Sequence, residues 1–282
     1  MQLREANPLL TRTLKILVGF LVGSVAAFCC LNQAGTGAAL EQIHRRAQPV
    51  SKGGAAAPGR LTNVASQRDA GMQNEISLDK PEALRSIRKA ADQGDAYAQA
   101  RLGAIYKDGK GAPRDDAVAA GWYHKAADQG LAQAQFDLGR MYATGRGVDQ
   151  DFAQAAVWYR KAAEQRLAAA QFNLGYMYLK GRGLEQDLAQ AAQWYRKAAD
   201  QGDGGAQYSL GLGYEKGSGV RQDSVQAIEW LILATTSGVP EAEKMLETLE
   251  RRATPSQIAE AQALASQWQR RAAEAADRRL QD

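Results

Sequence analysis

Between residues 96 and 238 the sequence returns to one pattern every 36 residues, four times over. Each copy carries a Leu-Gly pair (Leu102-Gly103, Leu138-Gly139, Leu174-Gly175, Leu210-Gly211), with a tyrosine three residues after each glycine (Tyr106, Tyr142, Tyr178, Tyr214). Gly-x-Gly pairs follow at Gly109/Gly111, Gly145/Gly147, Gly181/Gly183 and Gly217/Gly219, then the tryptophans Trp122, Trp158, Trp194 and Trp230. A fixed period of about 20 to 50 residues marks a stacked architecture, in which no copy buries its apolar face without a neighbour.

The second copy shows what each unit is. Gln135, Leu138 and Tyr142 fall on one face of a 3.6-residue period, and Gly139 beside them lets another helix come close. Gly145 ends this helix, since a residue without Cβ takes the left-handed conformation of a helix end. Gly147 allows a second sharp turn, and Asp151 stands where an N-cap is wanted, as do Asp115, Asp187 and Asp223. The second helix runs to about Gln165, with Ala155, Trp158 or Tyr159, and Ala162 on its packing side. Gly130, Gly202 and Gly238 close the second helix in three copies; Arg166 holds that place in the other. Two antiparallel helices per period, short connections and abundant alanine with few β-branched residues predict an all-α fold. Residues 79–95 match a second helix alone, with Ser86 where tryptophan is expected, and form an N-terminal capping helix with a polar outer face. Residues 239–282 form C-terminal capping helices, the last restarting at Thr254-Pro255-Ser256.

The run Ala-x-Ala-Gln-Phe-x-Leu-Gly-x-Met-Tyr, then Gly-x-Gly-Val-x-x-Asp, then Ala-Ala-x-Trp-Tyr-x-Lys-Ala-Ala resembles the Sel-1-like repeat, a relative of the tetratricopeptide repeat. The resemblance covers roughly Asp79 to Gly238. It implies a right-handed α-solenoid of helix-turn-helix repeats that binds other proteins. Trp230-Leu231 departs from Trp-Tyr and Gly213 replaces the methionine of Met141 and Met177, so the fourth copy is expected to pack less tightly.

The segment before the repeats points to export. Arg4, Arg12 and Lys15 precede an uncharged run from Ile16 to Leu31, the order of a signal peptide or signal anchor over residues 1–31. Val25-Ala26-Ala27 favours cleavage, whereas Phe28-Cys29-Cys30-Leu31 prolongs the apolar run and favours retention in the membrane; both stand. Residues 32–78 read as a flexible linker. The expected location is the cell envelope, on the periplasmic side of a bacterial inner membrane.

Catalytic chemistry is not written in the repeats. Of two histidines, His44 is in the linker and His124 aligns with Arg160 and Arg196 on a surface face. The only cysteines are Cys29 and Cys30, so a thiolate metal site in the repeats is excluded. The Gly-x-Gly loops follow helices and lack the third glycine of a dinucleotide fingerprint. No enzyme activity, cofactor or metal is expected. The net charge of +4 is spread over a mixed surface, and no nucleic acid partner is expected.

A protein or peptide partner is expected instead. The resemblance places the first helices along the concave face, with Gln133, Phe136, Arg140 and Ala143 on the inner stripe of the second copy. Tyr97, Ala100, Ala104 and Lys107 occupy it in the first; Ala169, Phe172, Tyr176 and Leu179 in the third; Gly205, Tyr208, Leu212 and Glu215 in the fourth. Aromatic and arginine side chains are the usual anchors, which selects Phe136, Arg140, Phe172, Tyr176 and Tyr208. Phe136, Phe172 and Tyr208 recur in register, so inter-helix packing accounts for them equally well. Trp122, Trp158 and Trp194 are expected in the core. The alternative reading is an envelope protein that recognises glycan or peptidoglycan, or regulates an enzyme acting there.

Overall fold

The computed structural model describes residues 81–281, eleven helices with no strand among the described residues. The expected signal or anchor segment (1–31) and linker (32–78) lie outside the described residues. Helix α1 (Pro81–Asp92) precedes four pairs: α2 (Ala96–Asp108) with α3 (Asp116–Asp128), α4 (Ala132–Thr144) with α5 (Phe152–Glu164), α6 (Ala168–Lys180) with α7 (Leu188–Ala199), and α8 (Gly204–Lys216) with α9 (Ser224–Thr236). Helices α10 (Pro240–Glu250) and α11 (Pro255–Gln281) close the array. Each first helix packs against its own second helix and against the second helix of the copy before, the nearest-neighbour stacking of an α-solenoid. No helix among the described residues is long and apolar enough to cross a membrane.

Helix ends follow local chemistry. Gly145, at φ 67°, closes α4 by donating its N–H to the Met141 carbonyl, and the same device closes α2, α6 and α8. Asp151 Oδ1 accepts from the Gln154 N–H at 3.0 Å, with Asp115, Asp187 and Asp223 equivalent at α3, α7 and α9. Such a cap is worth about 1 kcal/mol. Arg166, at φ 67°, is the one non-glycine in the left-handed region among the described residues. It stands where Gly130 and Gly202 stand in the neighbouring copies, so that copy carries a strain of about 1–2 kcal/mol.

The Leu-Gly glycine is a seat for a ring. A Cβ on Gly139 would lie 2.8 Å from Tyr159 Cδ1, and one on Gly175 would lie 2.9 Å from Tyr195 Cδ1. Gly103 meets Tyr123 in the same way, and Gly211 meets Leu231. The residue following the tryptophan is therefore the deep core residue in each copy: Tyr123, Tyr159, Tyr195 and Leu231 are buried. This corrects the expectation for the tryptophans. Trp158 is buried, but Trp122 and Trp194 are half-buried, their rings covered by the ammonium groups of Lys125 and Lys197 at 4.0 and 3.8 Å from the centroids. The fourth copy is not looser either. Trp230 and Leu231 are both buried in the largest apolar cluster, which α11 seals with Ala261 and Ala265 and with Trp268 at its margin. At the other end Ile87 and Ala91 of α1 cover Leu102 and Ile105, leaving Arg85, Ser86 and Lys89 exposed.

Neighbouring copies are locked by two further contacts. The second glycine of the Gly-x-Gly loop in the second, third and fourth copies lies on the start of the preceding copy's second helix: a Cβ on Gly147 would fall 2.0 Å from the Asp116 carbonyl oxygen, one on Gly219 1.9 Å from that of Leu188. A chain of glutamines then runs along the array. Gln165 Nε2 donates to the Gly130 carbonyl and to Gln135 Oε1, both at 2.8 Å, while the buried Gln135 donates to the Ala127 carbonyl at 3.1 Å. Gln129 with Gln99 and Gln201 with Gln171 repeat the pairing, and Ser237 Oγ donates to Gln207 in the last copy.

Two predictions follow from this packing. Gly139→Ala drives a methyl into the Tyr159 ring and should cost about 1–3 kcal/mol. Gly121→Ala, in α3 with nothing within 4 Å of the new Cβ, should instead gain up to about 1 kcal/mol of helix propensity. Thermal unfolding followed by circular dichroism reads both, and equal shifts would detach the ring seat from stability. The second concerns Asp203, the N-cap of α8. Burial pushes its carboxyl up to about 6, against the opposing backbone N–H groups of Ala206 and Gly205. A raised carboxyl pKa contributes stability below about pH 4 that is lost as pH rises through about 6. Asp203→Asn keeps the cap without the buried charge. The variant should match the parent near pH 4 and melt a few degrees higher, about 2–4 °C per kcal/mol, near pH 7; an unchanged difference across that window contradicts the buried charge.

Candidate functional site

The first helices are enclosed on two sides, and this decides where the expected anchors fall. Phe136, Phe172, Tyr176 and Tyr208 are 2 %, 0 %, 2 % and 3 % exposed. Phe136 stacks obliquely on Tyr159 with ring centroids 5.7 Å apart, and Phe172 on Tyr195 at 5.6 Å. The expectation that these four present their rings to a partner is corrected: all four are buried, and Phe136 and Phe172 face the second helix of their own copy. Arg140 remains at the edge, its side chain 13 % exposed and its Nη2 2.8 Å from Asp137 Oδ1.

What the first helices leave partly open is a row one turn further on: Lys107, Ala143, Leu179 and Glu215, one equivalent position in four copies. At its first end the row joins a polar cluster around the buried Asp137. Arg140 and Gln133 bond the two carboxylate oxygens, Gln133 Nε2 at 3.0 Å, and Lys107 Nζ lies 3.7 Å away. Lys107 also stands 3.8 Å from Asp108. The Tyr123 phenol lies beside this cluster; burial raises its pKa well above the ordinary value, with Asp137 adding to the rise and Arg140 opposing it. In the later copies Asn173 and Ser209 replace Asp137 and turn back onto their own helix, to the carbonyls of Ala169 and Gly205.

The far end of the row is acidic. Glu215 is part-buried, and its Oε2 is buried without a hydrogen-bond partner. Tyr208 of α8 is pushed up to about 12, by burial first and then by Glu241 and Glu215. Sequence reasoning included Lys107, Ala143, Leu179 and Glu215 in the inner stripe but passed over them as anchors, because only Arg and aromatic residues were weighed as such. The missed signal was that the residue type at this position changes in every copy.

The outer side carries a second irregularity. Arg160 donates to the Tyr178 hydroxyl at 2.6 Å, and Arg88 and Arg196 reach Tyr106 and Tyr214 in the same way. His124 occupies the equivalent place before Tyr142 but turns to Asp128, its Nδ1 2.9 Å from Oδ2, and to the edge of the Trp158 ring. A shallow cleft of about 320 Å³ opens there between Gly121, His124, Leu138 and Tyr142.

The pairs coincide with a known repeat. The family model of the Sel1 repeat matches residues 96–131, 132–167, 168–203 and 205–239, segments that begin at or within one residue of the starts of α2, α4, α6 and α8. Among solved structures, a Sel1 repeat protein from Oxalobacter formigenes is 36% identical, the match covering 63% of this chain and 73% of that one with a TM-score of 0.59. A protective antigen present in uropathogenic Escherichia coli strains, displaying an SLR fold, is 32% identical over 77% of this chain, with a TM-score of 0.48. This chain spans 54% of that antigen's length. No curated protein matches the sequence.

Proposed function

The chain belongs to the Sel1 repeat family, and from that premise we propose that it is a protein–protein interaction scaffold holding a peptide or partner segment along the open edge of α2, α4, α6 and α8. Sel1 repeat proteins are typically non-enzymatic scaffolds. One observation carries the reading. Positions that build the spine recur from copy to copy: the Leu-Gly pair, the turn glycines, the capping aspartates and the buried glutamines. The partly open row does not, passing through Lys107, Ala143, Leu179 and Glu215. Packing explains the recurrence; the row that varies is only partly drawn into it, Leu179 and Ala143 lying at the margins of the apolar clusters, and its open side is free to serve recognition. An extended segment laid in such a slot is a common mode of peptide capture.

The same reading places the array on the periplasmic side of the inner membrane, held through or released from residues 1–31. Its support is the order of that segment, basic residues and then the apolar run Ile16 to Leu31. Recovery of the chain in the cytoplasmic fraction of the native host would contradict the location.

A pull-down from the native host tests the surface, with the full chain as bait beside two variants. Ala143→Glu/Leu179→Asp alters the open row. Val157→Asp alters an exposed residue on α5, 48% accessible, and serves as the outer-face control. A partner lost with the first variant and kept with the second is the expected result. The reverse pattern moves the site to the outer face.

A further inference from the structure

The open row changes sign along the array. At one repeat position the residue is cationic in the first copy (Lys107), small in the second (Ala143), apolar in the third (Leu179) and anionic in the fourth (Glu215). Neighbouring positions reinforce both ends: part-exposed Arg140 shares Asp137 with Lys107, and part-exposed Glu241 of α10 lies with Glu215 around Tyr208. Asp137 and Asp108 already engage Lys107 at 3.7 and 3.8 Å, so acidic residues of a partner would join two carboxylates already at this end.

The acidic end is incomplete in a more specific way. Glu215 Oε2 is buried and has no hydrogen-bond partner. A carboxylate oxygen withdrawn from water without a donor is costly, and native structures seldom leave one so. Glu215 as a whole is part-exposed, so a turn of its carboxylate would bring that oxygen to a cationic side chain arriving from outside.

Resting on the scaffold reading above, we propose that the partner is an extended peptide segment bound in one direction, acidic residues at the α2–α4 end and a lysine or arginine on Glu215. A helix with its side chains is about 10–12 Å across, so the three steps from Lys107 to Glu215 span at least on the order of 30 Å, about nine or more residues of extended chain. Ala143 and Leu179 between the poles suit small or apolar side chains. All four row positions are only part-exposed, which fits single side chains reaching in from an extended strand. Opposed charges at the two ends fix direction, since a reversed peptide would set like charges together.

Selection of random twelve-residue peptides on phage against the full chain tests this, with Lys107→Glu/Glu215→Lys as the reversing variant. Lys107→Gln/Glu215→Gln serves if the reversal does not fold. Enriched peptides should carry Asp or Glu near one end and Lys or Arg about nine residues away. By fluorescence anisotropy, the best of them should bind the reversed variant at least 10-fold more weakly, and the neutral variant more weakly than the parent. A synthetic peptide with its charges exchanged should regain binding on the reversed variant. Enriched peptides without charge order that still lose binding on Ala143→Glu/Leu179→Asp would overturn the polarity and leave the scaffold surface standing. No enrichment, or binding indifferent to every variant, would overturn both. A full chain that sediments as a dimer and dissociates on the reversal would replace the peptide with a second copy, because a row of opposite poles is self-complementary under a two-fold axis.

Discussion

The contact on which each unit depends is a tyrosine ring lying on a glycine. Tyr159 Cδ1 would be 2.8 Å from any Cβ at position 139, so only glycine lets the two helices of a pair come together with the ring between them. The close approach excludes water from the ring, and burial of an aromatic side chain of this size is worth about 1.5–3 kcal/mol. It also explains why alanine dominates the second helices: Ala155, Ala156, Ala162 and Ala163 surround Tyr159 and are all buried. Helices this close have room for methyl groups and one ring, and little else.

Stacking of one pair on the next uses different chemistry. Gly147 and Gly219 press a loop onto the first turn of the preceding copy's second helix, where any side chain would collide with a carbonyl. The glutamine chain takes up a carbonyl at the end of one second helix and ties it to the next through Gln135 and Gln165. Gln135 is buried with its hydrogen bonds made, and Gln165 reaches it from the exposed side, so the pair holds the offset between copies more strictly than apolar packing does. Alanine-rich surfaces slide; a side-chain amide with a fixed carbonyl partner does not. Interactions confined to neighbours then make the array extensible, and the ends need the separate caps that α1 and α11 supply.

Much of this was legible in the sequence, for a physical reason: residues recur where geometry recurs. The helix ends at Gly145 and Asp151, the pairing of helices and the two caps all follow from spacing. Misreadings came where recurrence does not say which of two neighbours goes inside. Trp158 and Tyr159 sit side by side on a helix, and only the glycine seat across the pair shows that tyrosine is the deeper. Phe136, Phe172 and Tyr208 recur in register and are buried; that recurrence was itself the mark of packing. Tyr176 does not recur as a tyrosine, yet it and the equivalent Leu212 are both buried, a tertiary fact no local pattern carries. The glutamine chain was half visible: Gln135 stood in the helical pattern, but its partner Gln165 is 30 residues away and lies in the next helix.

A division of labour follows from where the constraints lie. Spine positions answer to contacts at van der Waals distance and tolerate almost no change, so they cannot also be tuned to a partner. Row positions such as Lys107 and Glu215 touch solvent on one side and carry little of the packing. The sequence can therefore alter charge and size there at small cost to stability, one copy at a time. Because equivalent positions stack along the array, four independent changes become one ordered line of chemistry, and its order from cation to anion is a property no single repeat possesses. On the proposed reading, recognition in such a chain resides in the succession of copies, while stability resides in their sameness.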